Sequence, residues 1–309
     1  MSEEYAITAQ GVVKKFGEFT AVNGLDLFIP KGQIYGFLGP NGCGKSTSIR
    51  LLTGLLAPTA GDIEVLGLNV PQEAEKLKTK IGYMTQKFSL YDDLSVEENL
   101  FFMGRIYGLP EALLKKRLTA QLETYGLSQL KDNRVSGMSG GQKQRLSLAA
   151  ATIHQPELLF LDEPTSAVDP ENRREFWEQL FDLCESGTTI LISTHYMDEA
   201  ERCHNLAIME AGVIRAHGLP ETLMDNLGVT VVEVLADNLR QIKVQLLKSE
   251  YINSVAQLGV RLRVLVSEDI SRPLEWLREQ YPELRNATLE ISRASLEDVF
   301  VSVTGEGRQ

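Results

Sequence analysis

The amino-acid sequence predicts an α/β protein whose core is a largely parallel sheet. Three observations lead there. Short apolar runs alternate with helix-compatible segments through most of the chain, the order that a parallel sheet covered by helices requires. One such run, Ile34–Leu38, passes directly into Gly39-Pro40-Asn41-Gly42-Cys43-Gly44-Lys45-Ser46-Thr47, and a helix-compatible run, Ser48–Leu56, follows. Strand, glycine-rich loop and helix in that order define a phosphate-binding loop. Lys45, Gln86, Asp162, Glu163 and His195 each follow a predicted strand end, so all five collect on one edge of the sheet, where α/β proteins bind ligands.

At 309 residues the chain suits one large domain with a smaller one, or two modest domains. Its formal net charge of -11 argues against nucleic-acid binding over the whole surface, and no nucleic-acid partner is expected. The three cysteines, Cys43, Cys184 and Cys203, show no paired-ligand spacing and point to a reducing compartment rather than a disulfide framework. The acidic start, Met1-Ser2-Glu3-Glu4, has no apolar core behind it and is not expected to be a signal peptide. No apolar run approaches the roughly 20 residues of a membrane span, so a membrane process served by this chain must draw its spans from another chain.

Residues 5–13 read as a short strand, 14–20 as a turn carrying the exposed aromatic Phe16, and Ala21–Ile29 as a strand with one buried face. Phe16 is of a kind to stack on a purine base or to rim the small sheet. In the phosphate loop, glycines let the backbone wrap closely around phosphates that a Cβ would obstruct. Loop N–H groups and the positive end of the following helix attract the anion. Lys45 can reach the β- and γ-phosphates, and the Ser46 hydroxyl can ligate Mg²⁺. Ile63–Leu66 is a short strand ended by Gly67, Glu73–Thr79 a short charged helix, and Ile81–Met84 a buried strand. Gln86, just past that strand, can give its amide oxygen to a metal or orient a water, or serve simply as a surface loop residue.

From Lys87 to about Thr152 the pattern is mostly helical. Ser95-Val96-Glu97-Glu98 is a capping box that starts a helix running to about Tyr107. Glu111–Tyr125 is a second amphipathic helix, and Gln142–His154 a third after the glycine-rich Ser136–Gln142. Glu157–Leu161 is a continuous apolar strand ending in Asp162-Glu163. Successive side chains alternate direction, so one acid can face a metal and the other an attacking water. Glu171–Glu185 is a helix, Thr189–Ser193 a strand leading to Thr194-His195, and Tyr196–Arg202 helical. Asn205–Met209 and Val213–Ala216 read as a hairpin, and a helix from Pro220 closes the first domain near Asn226. Residues 229–304 form a separate α+β module: strands Val229–Leu235, Arg261–Val266 and Ala287–Ile291, helices Leu239–Leu247, Leu274–Tyr281 and Ser295–Val303. No residue cluster there points to catalysis. Residues 305–309 are expected to fray.

With Met138 in front, Ser139-Gly140-Gly141-Gln142 resembles the signature loop of ATP-binding-cassette (ABC) ATPases. The full order agrees: Phe16, the Gly39–Thr47 loop, Gln86, the signature, Leu158-Leu159-Phe160-Leu161-Asp162-Glu163, Ser166-Ala167-Val168-Asp169 and His195. The resemblance covers residues 5–226. It implies a P-loop NTPase cassette, with an N-terminal antiparallel β subdomain and an inserted helical subdomain at about 87–155. The cassette spans 1–227, and a small regulatory or assembly domain spans 228–309. It implies that two nucleotide-binding domains pack head to tail and sandwich ATP, each ATP lying between one chain's phosphate loop and the other's signature. Phe16 then stacks on adenine; Gly39, Pro40, Asn41, Gly42, Cys43, Gly44, Lys45, Ser46 and Thr47 hold phosphates; Ser46, Gln86 and Asp162 organise Mg²⁺. Glu163 polarises or deprotonates the attacking water, and His195 contacts the γ-phosphate. Ser139, Gly140, Gly141 and Gln142 face the partner's ATP, and Asp169 links the two sites. His154, His204 and His217 match no family position and are expected at the surface or in packing.

Departures from the pattern are small. Met138 and Val168 stand where Leu is common, with little effect expected. Cys43 replaces a common Ala and puts a thiol beside the nucleotide, so alkylation is expected to inhibit and ATP to protect. The chain further resembles the ATPase subunits of ABC-2-type exporters, through Tyr83–Tyr91, Thr194–Ala200 and the ending Leu296-Glu297-Asp298-Val299-Phe300. That implies a cytoplasmic protein, peripheral on the inner or plasma membrane, beneath a separate permease, with Phe88, Leu90, Tyr91 and Leu94 forming a groove for a permease helix or belonging to the helical core. The alternative is a soluble ABC ATPase acting on ribosomes or nucleic acid. A single cassette, a short gap between phosphate loop and signature, and the acidic balance disfavour it. Intact Glu163 and His195 argue against a non-hydrolysing assembly protein.

Overall fold

Gly17 and Glu18 turn the chain between β1 (Tyr5–Phe16) and β2 (Phe19–Pro30), which pair antiparallel out to Phe16↔Phe19. The strands thus run through part of the segment expected to be a turn. Alternate residues point inward, among them Ile7 and Ala9 from β1 and Leu25, Leu27 and Ile29 from β2, and a register shift after Ala9 brings Val12 inward as well. β3 (Ile34–Leu38) is buried throughout and leads through the glycine-rich loop to α1 (Lys45–Leu52). β4 (Ala60–Val65) and β5 (Leu68–Val70) complete a four-stranded sheet in the order β2-β1-β4-β5. A short α2 (Ala74–Leu77) precedes β6 (Ile81–Met84). The helices α3 (Val96–Ile106), α4 (Glu111–Thr124) and α5 (Gly140–Thr152) follow. Then come β7 (Leu158–Asp162), α6 (Pro170–Glu185), β8 (Thr189–Thr194), α7 (Met197–Ala200), β9 (Asn205–Glu210) and β10 (Val213–Gly218).

The main sheet has the order β10-β9-β3-β8-β7-β6, with β9, β3, β8, β7 and β6 parallel. Both faces are covered, which explains why its strands read as unbroken apolar runs. Leu159, Leu161, Ile190 and Ile192 pack with the helical layer that includes Leu100, Leu146 and the fully buried Trp177. Leu158, Phe160, Leu191 and Phe37 pack with Ile49 of α1 and the antiparallel sheet. The expected capping box is present: Glu98 N–H donates to Ser95 Oγ (3.1 Å), and Ser95 N–H to Glu98 Oε2 (2.7 Å).

This computed structural model describes residues 4–166 and 168–304. The acidic start at Met1–Glu3, Ala167 in the loop before Asp169, and the 305–309 tail lie outside the described residues. The chain divides into compact units at Met1–Ile214 and Arg215–Gln309. The second contains α8 (Pro220–Asp225), β11 (Val229–Leu235), α9 (Leu239–Leu246), β12 (Ile252–Leu258), β13 (Arg261–Ser267), α10 (Pro273–Gln280), β14 (Thr288–Ser292) and α11 (Leu296–Thr304). α8 packs on α11, so it groups with the second unit rather than closing the first. The second unit's sheet is antiparallel in the order β12-β13-β11-β14. β12 was not expected. Its register shifts between Ile252 and Ser254, and Ser254, Ala256 and Gln257 dilute its apolar pattern. Arg263 on β13 grips Asp298 through Nε (2.8 Å) and Nη2 (2.7 Å), fastening α11 to the sheet. Burial raises the Asp298 carboxyl, but the hydrogen bonds from Arg263 and Ser295 prevail and hold it below its usual range.

His154 is a packing residue, as expected. Its ring stacks on Tyr107 at 3.6 Å and Nε2 donates to the Ile81 carbonyl (3.0 Å). Burial pushes its pKa from 6.5 down to about 4, with Arg117 acting in the same direction. A depressed folded-state value means that this histidine costs nothing above pH 6.5. As pH falls from 6.5 to about 4, the unfolded chain takes up a proton that the folded chain refuses. Stability should therefore fall across that window with a slope of up to one proton, about 1.4 kcal/mol per pH unit, reduced by partial exposure. Urea unfolding of His154→Gln should show a shallower acid slope than the parent. Equal slopes would contradict this assignment.

Candidate functional site

The parallel register builds the site. Leu38 pairs with Thr194, Asp162 with Ser193, and Met84 with Leu161, so β3, β8, β7 and β6 end nearly level. Their following residues then converge. Gly44, at the N-cap of α1, has φ 112°, and a Cβ on it would lie 2.6 Å from the Ala21 carbonyl oxygen. Only glycine fits there, which is why the loop can turn sharply into the helix. Asn41 and Gly42 are exposed at the crest of the loop.

Lys45 opens α1 and is only 3% exposed. Its ammonium donates to the carbonyls of Gly39 (2.7 Å) and Pro40 (3.1 Å) and lies 3.2 Å from Glu163 Oε1. Gln86 Nε2 donates to the other Glu163 oxygen (2.8 Å), and His195 Nδ1 stands 3.6 Å from it. His195 Nδ1 is buried without a hydrogen-bond partner. Glu163 itself has φ 47°, a left-handed conformation costing about 1–2 kcal/mol for a residue with a side chain. Ser193 holds it there: the Glu163 N–H meets Ser193 Oγ at 2.9 Å and the Ser193 carbonyl at 3.2 Å. Strain retained at a buried carboxylate marks a functional position.

Asp162 Oδ1 accepts from Ser46 Oγ (2.9 Å) and Ser193 Oγ (2.7 Å). Ser193 therefore supports both acids, and it was missed in the sequence. Its signal was a hydroxyl near the carboxyl end of a buried strand, level with Asp162 in the register. Among the described residues no cluster of three or more His, Cys, Asp or Glu side chains forms a metal cage. Ser46 Oγ and Asp162 Oδ1, 2.9 Å apart, are nonetheless oxygens of the kind that Mg²⁺ takes. That cation takes few protein oxygens and completes its shell with water and phosphate.

The other expected residues make no hydrogen bond or ion pair with this cluster among the described residues. Phe16 sits at the tip of the β1–β2 hairpin, 50% exposed, with Lys14 Nζ 5.1 Å from its ring centre. Ser139 is the N-cap of α5: Gln142 N–H donates to Ser139 Oγ (3.3 Å) and Gln142 Oε1 accepts from Ser139 N–H (2.9 Å). Gly140 and Gly141 thus begin a helix with its positive end outward. Asp169 N-caps α6, and its hydrogen bonds from Asn172 hold its carboxyl below the usual range. A side chain on Gly141 would collide with Asn172, its Cβ lying 2.8 Å from that amide.

Cys43 corrects one expectation. Its thiol is buried, and Sγ lies 2.7 Å from where a Gly39 Cβ would be, so it packs under the loop. Burial raises its pKa, although Lys45 acts against this. A buried thiol without thiolate character reacts slowly, so ready alkylation at the nucleotide is not what the structure favours. With N-ethylmaleimide, the folded chain should label much more slowly than the urea-unfolded chain at Cys43, Cys184 and Cys203. Rapid stoichiometric labelling of folded Cys43 would contradict its placement.

A phosphate loop facing two acids, a glutamine and a histidine defines a phosphate-loop nucleotide site. Comparison with known proteins carries this further. The family model described as ABC transporter matches residues 22–166. The "Nod factor export ATP-binding protein I" of Ralstonia nicotianae (strain ATCC BAA-1114 / GMI1000) is 38% identical over 306 residues, covering 97% of this chain and 94% of that protein. The "Probable multidrug ABC transporter ATP-binding protein YbhF" of Escherichia coli (strain K12) is 42% identical over 220 residues, covering 71% of this chain. The chain spans only 38% of YbhF. Among solved structures, the dimeric, post-hydrolysis ATP-binding cassette MJ0796 bound to ADP and Pi superposes with a TM-score of 0.64 at 26% identity, covering 69% of this chain and 98% of that one. The chain belongs to the ATP-binding proteins of ABC transporters.

Proposed function

We propose that this chain is the ATP-binding and hydrolysing subunit of an ABC-2-type exporter. The observation that carries the reading is the meeting of Glu163 with Lys45, Gln86 and His195 at the phosphate loop. Lys45 exchanges its loop carbonyls for phosphate oxygens and neutralises their charge. Ser46, Asp162 and Gln86 would hold Mg²⁺, whose bound charge would further neutralise the phosphates. Glu163 accepts the proton of the attacking water, with Gln86 fixing the carboxylate and His195 turned to the γ-phosphate. The exposed ring of Phe16 stacks on adenine.

Ser139, Gly140, Gly141 and Gln142 open a helix that serves the ATP of a second copy, or of a homologous cassette, in a head-to-tail dimer. The dimeric structure of the MJ0796 cassette supports the pairing of two cassettes by analogy. Asp169 joins the two sites. Among the described residues no helix is long and apolar enough to cross a membrane, so a separate ABC-2-type permease supplies the channel. The protein then works in the cytoplasm, peripheral on the inner or plasma membrane. Tyr91, 53% exposed and edge-on to Phe102, belongs to the docking groove. So does Leu94, in a cleft of about 620 Å³ with Phe101 and Leu118. Phe88 and Leu90 lie partly buried against the helical core and support that surface from beneath. The relatives' names, multidrug and Nod factor export, support export as the direction of transport. The first compact unit acts as the cassette, with its helical subdomain at about 87–155, and the second serves a regulatory or assembly role.

Glu163→Gln keeps size and hydrogen bonding but removes the base, so ATP hydrolysis should fall by about 10²–10⁴ with ATP binding retained. A tagged Glu163→Gln chain, solubilised gently from its native cells with ATP, should bring down a multi-span membrane protein. Parental hydrolysis would overturn the role of Glu163, and recovery of only ribosomes or soluble proteins would overturn the exporter reading.

A further inference from the structure

Behind His195 lies a second buried carboxylate, which the phosphate chemistry does not use. Glu199, on α7, is 0% exposed. One of its oxygens, Oε1, accepts a short hydrogen bond from Thr165 Oγ1, in the loop after β7. The other, Oε2, accepts from Thr194 Oγ1 at the end of β8 (2.6 Å). Thr194 Oγ1 in turn accepts the Tyr196 N–H (3.0 Å), so its hydroxyl closes a tight ring of chain around His195. Arg173, on α6, compensates the charge: its Nε lies 3.4 Å from Glu199 Oε1, and its guanidinium carbon 4.2 Å from the centre of the Tyr196 ring. Tyr196 packs against His195 at 4.1 Å between ring centres.

We propose that Glu199 is a positioning residue for ATP hydrolysis, tying the loop after β7 to the loop after β8 and thereby holding His195 against Glu163. The proposal rests on the reading of Glu163 and His195 as hydrolytic residues. A buried carboxylate is costly unless it is fully hydrogen-bonded and paired. Here every partner belongs to a segment that brings a functional residue: Thr165 follows Glu163, Thr194 and Tyr196 flank His195, and Arg173 lies one turn after Asp169. The same contacts would transmit a shift of α6, at Asp169 and Asn172, to His195. Catalytic geometry is sensitive to such shifts, because a displacement of about 1 Å can cost 10²-fold.

The test is a double-mutant cycle on the full chain, read by single-turnover release of radiolabelled phosphate, with ATP affinity measured separately by TNP-ATP fluorescence. Glu199→Ala should lower the rate about 10- to 100-fold and leave TNP-ATP binding nearly unchanged. Glu199→Gln should retain more activity, since an amide can still bridge both threonine hydroxyls. In a His195→Ala background, Glu199→Ala should change the rate by no more than about a factor of two, because its effect runs through His195. Equal fold losses in both backgrounds, or a lowered melting temperature with an unchanged rate, would overturn the proposal. If Glu199→Ala does not fold, Thr165→Val removes one hydroxyl at nearly constant volume and completes the same cycle: a loss confined to the His195 background supports the proposal, and equal losses overturn it. Glu163→Gln, assayed alongside, separates the failures: a parental rate there removes the hydrolytic reading itself, whereas additivity at Glu199 with Glu163→Gln inactive removes only this proposal.

Discussion

Lys45 and Glu163 face each other across 3.2 Å, with both side chains almost wholly withdrawn from solvent. An ion pair in that position repays its desolvation only when its remaining donors and acceptors are satisfied. The surrounding fold satisfies them. Two loop carbonyls take the other protons of Lys45, and Gln86 caps the second oxygen of Glu163. None of this would hold if β3, β6, β7 and β8 ended at different levels. The parallel register is therefore the constraint under the chemistry, and the two-faced apolar core is what fixes the register.

The same region stores its strain openly. Glu163 adopts a backbone conformation that its side chain disfavours, and Ser193 pins it there while also fixing Asp162. One serine thus sets the relative position of the two acids. A second layer of buried polar contacts, centred on Glu199, lies behind His195. The site is held from two sides, by β8 hydroxyls and by the loops they anchor, with both carboxylate oxygens of Glu199 hydrogen-bonded and His195 Nδ1 left without a hydrogen-bond partner.

Much of this was legible in the sequence because its signals are local. Ile34–Leu38 followed by the glycine-rich loop, the Ser95–Glu98 capping box and the apolar run into Asp162-Glu163 each announce their own structure, and each is found. The missed features depend on neighbours distant in the chain. Ser193 matters because register puts it beside Asp162, and Glu199 because Thr165, Thr194 and Arg173 close on it. β12 was hidden by a shifted register and small polar residues, and β5 by being three residues long. The thiol of Cys43 lies in the loop as expected but is buried against Gly39, since only tertiary packing decides whether a loop side chain is covered.

The central claim is that the site is shared: a phosphate loop and Glu163 from one chain, a signature helix from another. Sedimentation of the Glu163→Gln chain with and without ATP–Mg²⁺ tests it most directly. A shared site predicts a monomer that becomes a dimer on adding ATP–Mg²⁺ and stays a monomer when Ser139→Arg is introduced at the head of α5. A chain that binds ATP but keeps the same sedimentation coefficient, or that dimerises regardless of Ser139, would contradict it.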